Sequence, residues 1–152
     1  IFSEVHKKYP NAKFLAGGKV EDWYRKELEV LAEELGVSNS IEVLGYITEE
    51  EKLDLLTKSH VLLNPSYKEG WGLVNIEANA RGTPAIVYKV PGSVDSVKDG
   101  VNGYIVETKE EAVQKVFDIY EKDSLSLKCI DYAKNFDWGS VSSNFFGIIS
   151  KQ

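Results

Sequence analysis

Two glutamates, Glu69 and Glu77, stand eight positions apart in the stretch "NPSYKEGWGLVNIEANARGTP", residues 64–84. Two glycines, Gly70 and Gly72, bracket Trp71 between them. Carboxylates are strong acceptors for the hydroxyl groups of sugars and riboses. Glycines let a backbone approach a ligand closely and adopt conformations closed to other residues. The apolar run before Pro65 and the helix-forming run after Gly72 make this a strand, a turn and a helix. The helix start offers free amides at Gly72, Leu73 and Val74, which suit a phosphate or crowded hydroxyls. Glu77 then falls one to two turns inside the helix, within reach of a vicinal diol. Glu69 precedes the helix, near a second group of the same ligand. The bland reading uses the same residues. Glu69 near a helix start is favourable on dipole grounds alone, and Glu77 with Arg81 has the spacing of a solvated helix pair. Spacing leaves both readings open.

The elements around this stretch narrow the choice. "AKFLAGG" (12–18) reads as a strand and a tight loop, and "SIEVLGY" (40–46), "HVLLNP" (60–65), "PAIVYKV" (84–90) and "YIVE" (104–107) as further strands. Residues 1–9 read as the tail of a helix stopped by Pro10. Residues 20–35 carry Val20, Trp23, Tyr24, Leu28, Leu31 and Leu35, the stripe of an amphipathic helix, with Gly36 as its C-cap. Thr48 and Glu51 form a capping box that opens a helix through Lys58. A helix is expected from about Gly72 to Arg81. Residues 91–103 read as a loop, and 108–150 as mostly helical with a break near "NFDWGS". The strands are short apolar runs rather than alternations, as strands buried on both faces are. Strands alternating with helices predict an α/β fold with a parallel sheet, Rossmann-like and flanked by helices. In such sheets ligands bind beyond the carboxyl ends of the strands, where the Glu69 turn lies.

Composition sets the outer bounds. The 152 residues amount to about one domain, with 43% hydrophobic and 28% charged residues. A net charge of −6 argues against general nucleic-acid binding, which wants a basic face. One cysteine, Cys129, and two histidines, His6 and His60, are too few and too scattered for a metal site; Cys129 reads as structural. No run approaches the roughly 18 apolar residues of a membrane span, and no signal peptide is visible. The chain has no methionine and starts Ile-Phe-Ser, which reads as a piece of a larger protein.

"EGWGLVNIE" followed by "ANARGTPAI" resembles the signature of glycosyltransferase family 4, retaining nucleotide-sugar-dependent enzymes of the GT-B fold. That signature has two glutamates separated by seven residues, as Glu69 and Glu77 are. "YPNAKFLAGG", "ELGVSNSIEVLGYITEEEKLDLLTKSHVLLNPS", "VPGSVDSVKDGVNGYIV" and "NFDWGSV" match the family's order of segments, so the resemblance covers nearly the whole chain. It implies that residues 1–152 are most of the C-terminal, donor-binding half of a two-domain enzyme, with the domain's first strand absent. It implies that Glu69 is the catalytic-site carboxylate, contacting hydroxyls of the donor sugar, and that Glu77 holds the ribose. Gly70, Trp71, Gly72, Leu73 and Val74 would surround the diphosphate or the sugar. Gly45, Tyr46 and Ile47 would lie beside the base, and Gly17 and Gly18 near the donor.

The same resemblance implies a UDP- or GDP-linked sugar as substrate, no cofactor and no metal. The acceptor would be a glycan or lipid-linked glycan, reached through an N-terminal domain, with cytoplasmic location and peripheral contact at the inner membrane face. The arginine and lysine that clamp the diphosphate in the family would lie upstream of residue 1. Asp95 stands where many members have glutamate, and His60 where an aspartate is common. Each residue also has a plainer role. Gly17 and Gly18 suit a simple strand-to-helix turn. Lys19 and Lys68 suit solvated surface, and Trp71 suits cleft-wall packing. Trp23, Tyr24 and Trp138 read as core or interface aromatics. A non-catalytic Rossmann-like binding module is the main rival reading. A nicotinamide dehydrogenase lacks its G-x-G-x-x-G here, and a nucleotide-sugar epimerase lacks a reason for the paired glutamates.

Overall fold

In a computed structural model of the chain, residues 1–122 and 125–136 are described. The chain divides into two compact units, Ile1–Asp54 and Leu55–Gln152. In the first, helix α1 (Phe2–Lys8) leads to strand β1 (Phe14–Gly17), helix α2 (Asp22–Glu34) and strand β2 (Ile41–Gly45). The two strands pair in parallel, Phe14 beside Ile41 and Gly17 beside Gly45, with a register shift after Ala16. α2 ends as its sequence dictates. Gly36 takes φ +68, and the amides of Gly36 and Val37 return to the carbonyls of Glu33 and Ala32, closing the open end of the helix.

The apolar stripe expected on α2 is not a core. Only Ala32 is buried on this helix, and Trp23 and Tyr24 are exposed, packed edge-on against each other at 5.5 Å. Leu31 and Leu35 are about half exposed. The reason is area: a two-stranded sheet presents too narrow a face to cover a 13-residue helix.

Helix α3 (Glu49–Lys58) opens on the expected capping box. The Thr48 amide and hydroxyl donate to Glu51 Oε2 at 2.7 and 2.9 Å, and the Glu51 amide returns to Thr48 Oγ1 at 3.2 Å. In the second unit strand β3 (Leu62–Asn64), helix α4 (Leu73–Ala80), strand β4 (Ala85–Tyr88), a single turn α5 (Ser93–Ser96), strand β5 (Gly103–Val106) and helices α6 (Lys109–Lys122) and α7 (Ser126–Ala133) follow. The strands form one parallel sheet in the order β3-β4-β5. β4, in the middle, buries Ala85, Ile86 and Val87 in succession, as a strand covered on both faces must. Ala85, Val87 and Val97 form a core cluster with Leu62 and Ile105 against it.

Two expectations change here. The loop read over 91–103 contains the helical turn α5, too short to leave a periodic signal. The helix read from 108 onward is two helices and a 3-10 turn, Lys134–Phe136. Trp138 and most of the "NFDWGS" break lie outside the described residues.

Candidate functional site

β3 ends at Asn64, and Pro65 cannot continue the ladder. The chain turns through Ser66–Trp71 into α4, whose N-cap is Gly72 at φ +82 and ψ +53. A Cβ at Gly72 would lie 2.5 Å from Asn75 Nδ2 and 3.0 Å from Ser96 Oγ, so glycine is required by conformation and by space. Among the described residues no side chain caps the helix start. Leu73 and Val74, exposed and half-buried, carry first-turn amides that no described side chain caps, with the positive end of the helix dipole behind them, while Gly72 itself is buried. Gly70 is different from expectation: its φ is not left-handed, and a Cβ there would meet nothing within 4 Å. The requirement for glycine rests on Gly72 alone of the pair.

Glu69 is held in place from both oxygens. Its Oε1 accepts the Gly70 amide at 3.0 Å, and its Oε2 accepts Asn64 Nδ2 at 3.3 Å. A carboxylate offers about four lone-pair sites, so acceptor capacity remains for hydroxyls of a ligand. Behind it runs a buried relay. Asn64 Nδ2 also donates to Asn75 Oδ1 at 3.2 Å, Asn75 Nδ2 donates to Ser96 Oγ at 2.9 Å, and Ser96 Oγ donates to the Ser93 carbonyl at 3.2 Å. Asn75 and Ser96 have no solvent exposure. Hydrogen-bonded side chains of this kind hold one another to one geometry, while the hydroxyl of Ser93, where the relay ends, is buried without a partner among the described residues. The relay ties the Glu69 turn to α4 and α5.

Gly92, φ +87, closes the other side. A Cβ there would collide with the carbonyl oxygen of Glu69 and sit 2.8 Å from that of Gly70. The β4–α5 loop thus presses backbone to backbone on the Glu69 turn. Asn64, Asn75, Ser96 and Gly92 were not singled out from the sequence. The available signals were the polar Asn75 and Asn79 one turn apart within an apolar helix, and the Pro91-Gly92 pair.

Glu77 lies half-buried in the middle of α4, and Leu73 is exposed at its start. Trp71, also half-buried, packs edge-on against Phe136 at 5.0 Å. A second buried network anchors the far end of α4. Asn79 Nδ2 donates to the carbonyls of Thr83 and Asn102, and Asn102 Nδ2 donates to Asn79 Oδ1 at 2.6 Å. Cys129 is wholly buried beside it, its thiol donating to the Asn102 carbonyl at 3.4 Å, and burial pushes its pKa up to about 12. The structural reading of Cys129 stands.

In the first unit, Gly17, Gly18, Gly45, Tyr46 and Ile47 meet at the carboxyl edge of β1 and β2. The Gly18 amide donates to the Gly45 carbonyl at 2.8 Å. A Cβ on Gly17 would meet Ile47 Cδ1 at 2.6 Å. Gly45 has φ +73, and Arg25 lies over it, its Nη1 donating to the Val43 carbonyl at 2.8 Å. Tyr46 is 82% exposed. Lys19 and Lys68 are exposed. Among the described residues no group of three or more His, Cys, Asp or Glu is placed to hold a metal, and no helix is long and apolar enough to cross a membrane.

A family model described as "Glycosyl transferases group 1" matches residues 1–136. The chain belongs to this family. It is 32% identical over 122 residues to the D-inositol 3-phosphate glycosyltransferase of Streptomyces griseus, covering 76% of this chain and 26% of that protein. Against the Mycolicibacterium smegmatis enzyme of the same name it is 33% identical over 113 residues, 71% of this chain and 26% of the relative. The chain thus spans about a quarter of the length of these relatives. Among solved structures, a sucrose-phosphate synthase from Thermosynechococcus elongatus superposes with a TM-score of 0.82 at 22% identity, over 99% of this chain and 41% of that one. The pneumococcal O-GlcNAc transferase GtfA, solved with UDP and GlcNAc, gives 0.81 at 21%, over 98% and 31%. These likenesses support the α/β fold with parallel sheets flanked by helices.

Proposed function

We propose that the chain is the donor-binding part of a retaining, family 4 glycosyltransferase, taking a UDP- or GDP-linked sugar. The observation that carries this reading is the turn between β3 and α4. It presents a carboxylate fixed by two hydrogen bonds, an uncapped helix start and a second glutamate inside the helix. Glu69 accepts from hydroxyls of the donor sugar. The amides of Gly72, Leu73 and Val74 receive the diphosphate, beside the backbone of Gly70 and the ring of Trp71. Glu77 accepts from the ribose diol. For the first unit the proposal is separate: Gly17, Gly18, Gly45, Tyr46 and Ile47 offer backbone groups and an exposed ring to a nucleobase.

In the transfer, the bond from the anomeric carbon to the diphosphate oxygen breaks. The acceptor hydroxyl oxygen forms the new bond on the same face, and its proton passes to the departing diphosphate. No cofactor and no metal enters this scheme: amides and cations stabilise the leaving group. The acceptor is a glycan or lipid-linked glycan bound by a further domain, so the intact enzyme is cytoplasmic, with peripheral contact at the inner membrane face. The chain by itself binds nucleotide weakly and does not turn over.

Calorimetric titration with UDP, GDP and ADP tests the reading. One base bound with millimolar or better affinity, and weakened about tenfold or more by Glu77→Ala, supports it. The rival reading, a binding module without chemistry, requires Glu69→Ala and Glu77→Ala to leave ligand binding unchanged.

A further inference from the structure

Beyond the Glu69 turn, the carboxyl ends of β4 and β5 frame an open groove of about 340 Å³, lined by Tyr67, Tyr88, Lys89, Val90, Val106 and Glu107. Its volume falls at the small end of ligand sites, roughly 300–1,000 Å³. Tyr67 and Tyr88 are stacked, ring centroids 5.5 Å apart and planes 14° from parallel. Tyr67 is nevertheless 80% exposed, so its ring offers apolar surface to solvent. Across the groove Lys89 Nζ meets Glu107 Oε1 at 2.6 Å.

These groups suit one class of ligand. The lining pairs one ammonium with one carboxylate, and a second carboxylate, Glu111, accepts the Glu107 amide at 2.8 Å beside them, so the groove has no excess positive charge with which to hold a phosphate. An ammonium donates and a carboxylate accepts, whereas a hydroxyl does both. Two neighbouring hydroxyls therefore satisfy Lys89 and Glu107 together. The exposed tyrosine face suits the C–H face of a pyranose, apolar with a polar rim. The groove is also tied to the site already described. Tyr67 lies two residues before Glu69, and Val90 two before Gly92, whose backbone presses on the Glu69 and Gly70 carbonyls.

The geometry points to a second, neutral-saccharide subsite on this chain, holding a hexopyranose that carries no nucleotide, between Tyr67 and the Lys89–Glu107 pair. It rests on the transferase reading for its purpose, which is to hold a sugar ring of the acceptor.

The test is a heteronuclear NMR titration of the chain with methyl α-D-glucopyranoside, methyl α-D-mannopyranoside and maltose, with UDP and UDP-glucose run in parallel. The inference predicts saturable shifts at the amides of residues 67, 88–90 and 106–107 with at least one free saccharide. Tyr67→Ala and Glu107→Gln each weaken them about tenfold or more, an amount equal to about 1.4 kcal/mol, while shifts caused by UDP at residues 69–77 persist. Silence of the groove toward all three saccharides overturns the inference, as do shifts that survive Tyr67→Ala. Groove shifts with UDP-glucose alone overturn it too, since the ring would then belong to the donor. Silence toward UDP at residues 69–77 is the separate failure of the donor reading.

Discussion

Asn64 donates from one amide nitrogen to two partners, Glu69 Oε2 at 3.3 Å and Asn75 Oδ1 at 3.2 Å. One side chain at the end of β3 thereby joins a carboxylate at the surface to a buried relay that runs through Asn75 to Ser96. The position of Glu69 is a property of the core beneath it as much as of its own turn.

Replacing Asn75 by leucine keeps the branching of the side-chain heavy atoms and removes both relay bonds. It leaves the Asn64 amide and the Ser96 hydroxyl short of a partner. Each keeps one partner, Glu69 and the Ser93 carbonyl, so the loss expected is that of two hydrogen bonds, about 0.5–1.5 kcal/mol each. Urea unfolding of Asn75→Leu should show that loss, and the Asn64 side-chain amide resonances should move. Unchanged stability and unchanged resonances would remove the relay from the account.

The three glycines of this region should behave differently. Gly72→Ala forces a left-handed conformation on alanine and drives a Cβ against Asn75, and Gly92→Ala drives one into the Glu69 carbonyl. A non-glycine residue held at such φ/ψ costs about 1–3 kcal/mol before any clash. Gly70→Ala meets neither obstacle and should fall within about 0.5 kcal/mol of the parent. Thermal unfolding of the three variants ranks them. Equal losses at all three would contradict the geometry.

Glu51 accepts two bonds from Thr48, its backbone amide first and its hydroxyl second, which hold its carboxyl below the usual 4.5. A lowered folded pKa means a stabilising contribution that is present above the unfolded value and lost as pH falls through the folded one. The Thr48 amide resonance should therefore titrate with a midpoint below 4.5. In Glu51→Gln that titration should vanish. A midpoint at or above the usual value would show that the capping box does not form.

Cys129, buried and with its pKa pushed up to about 12, is not a thiolate near neutral pH. Iodoacetamide should leave the native chain unlabelled and should modify it at the rate of unfolding once urea is added. The raised pKa favours the thiol form in the fold, so this contribution is held below the unfolded value of 9 and lost as pH rises toward 12. Prompt labelling of the native chain would place Cys129 at the surface.

Local signals were legible where local rules decide. Thr48 and Glu51 marked a helix start, Gly36 a helix end, Pro65 a strand end, and the unbroken apolar run over β4 a strand covered on both faces. The strand-turn-helix around Glu69 was legible for the same reason. What lay hidden depends on partners distant in sequence. Asn75 meets Ser96 across 21 positions, and Gly92 meets Glu69 across a strand and a helix. No periodicity encodes those meetings. The stripe on α2 misled in the opposite direction, because hydrophobic spacing states which face is apolar and not whether anything covers it.

The role proposed for the β3–α4 turn is to hold a nucleotide sugar. The most direct measurement is a heteronuclear NMR titration with UDP, GDP and ADP and then with UDP- and GDP-sugars, on the parent chain and on Glu77→Ala. The expected result is saturable shifts at residues 69–77, with residues 45–47 followed separately for the first unit, one base preferred, and affinity reduced about tenfold or more by Glu77→Ala. Shifts elsewhere, or shifts at residues 69–77 that Glu77→Ala leaves untouched, would contradict it.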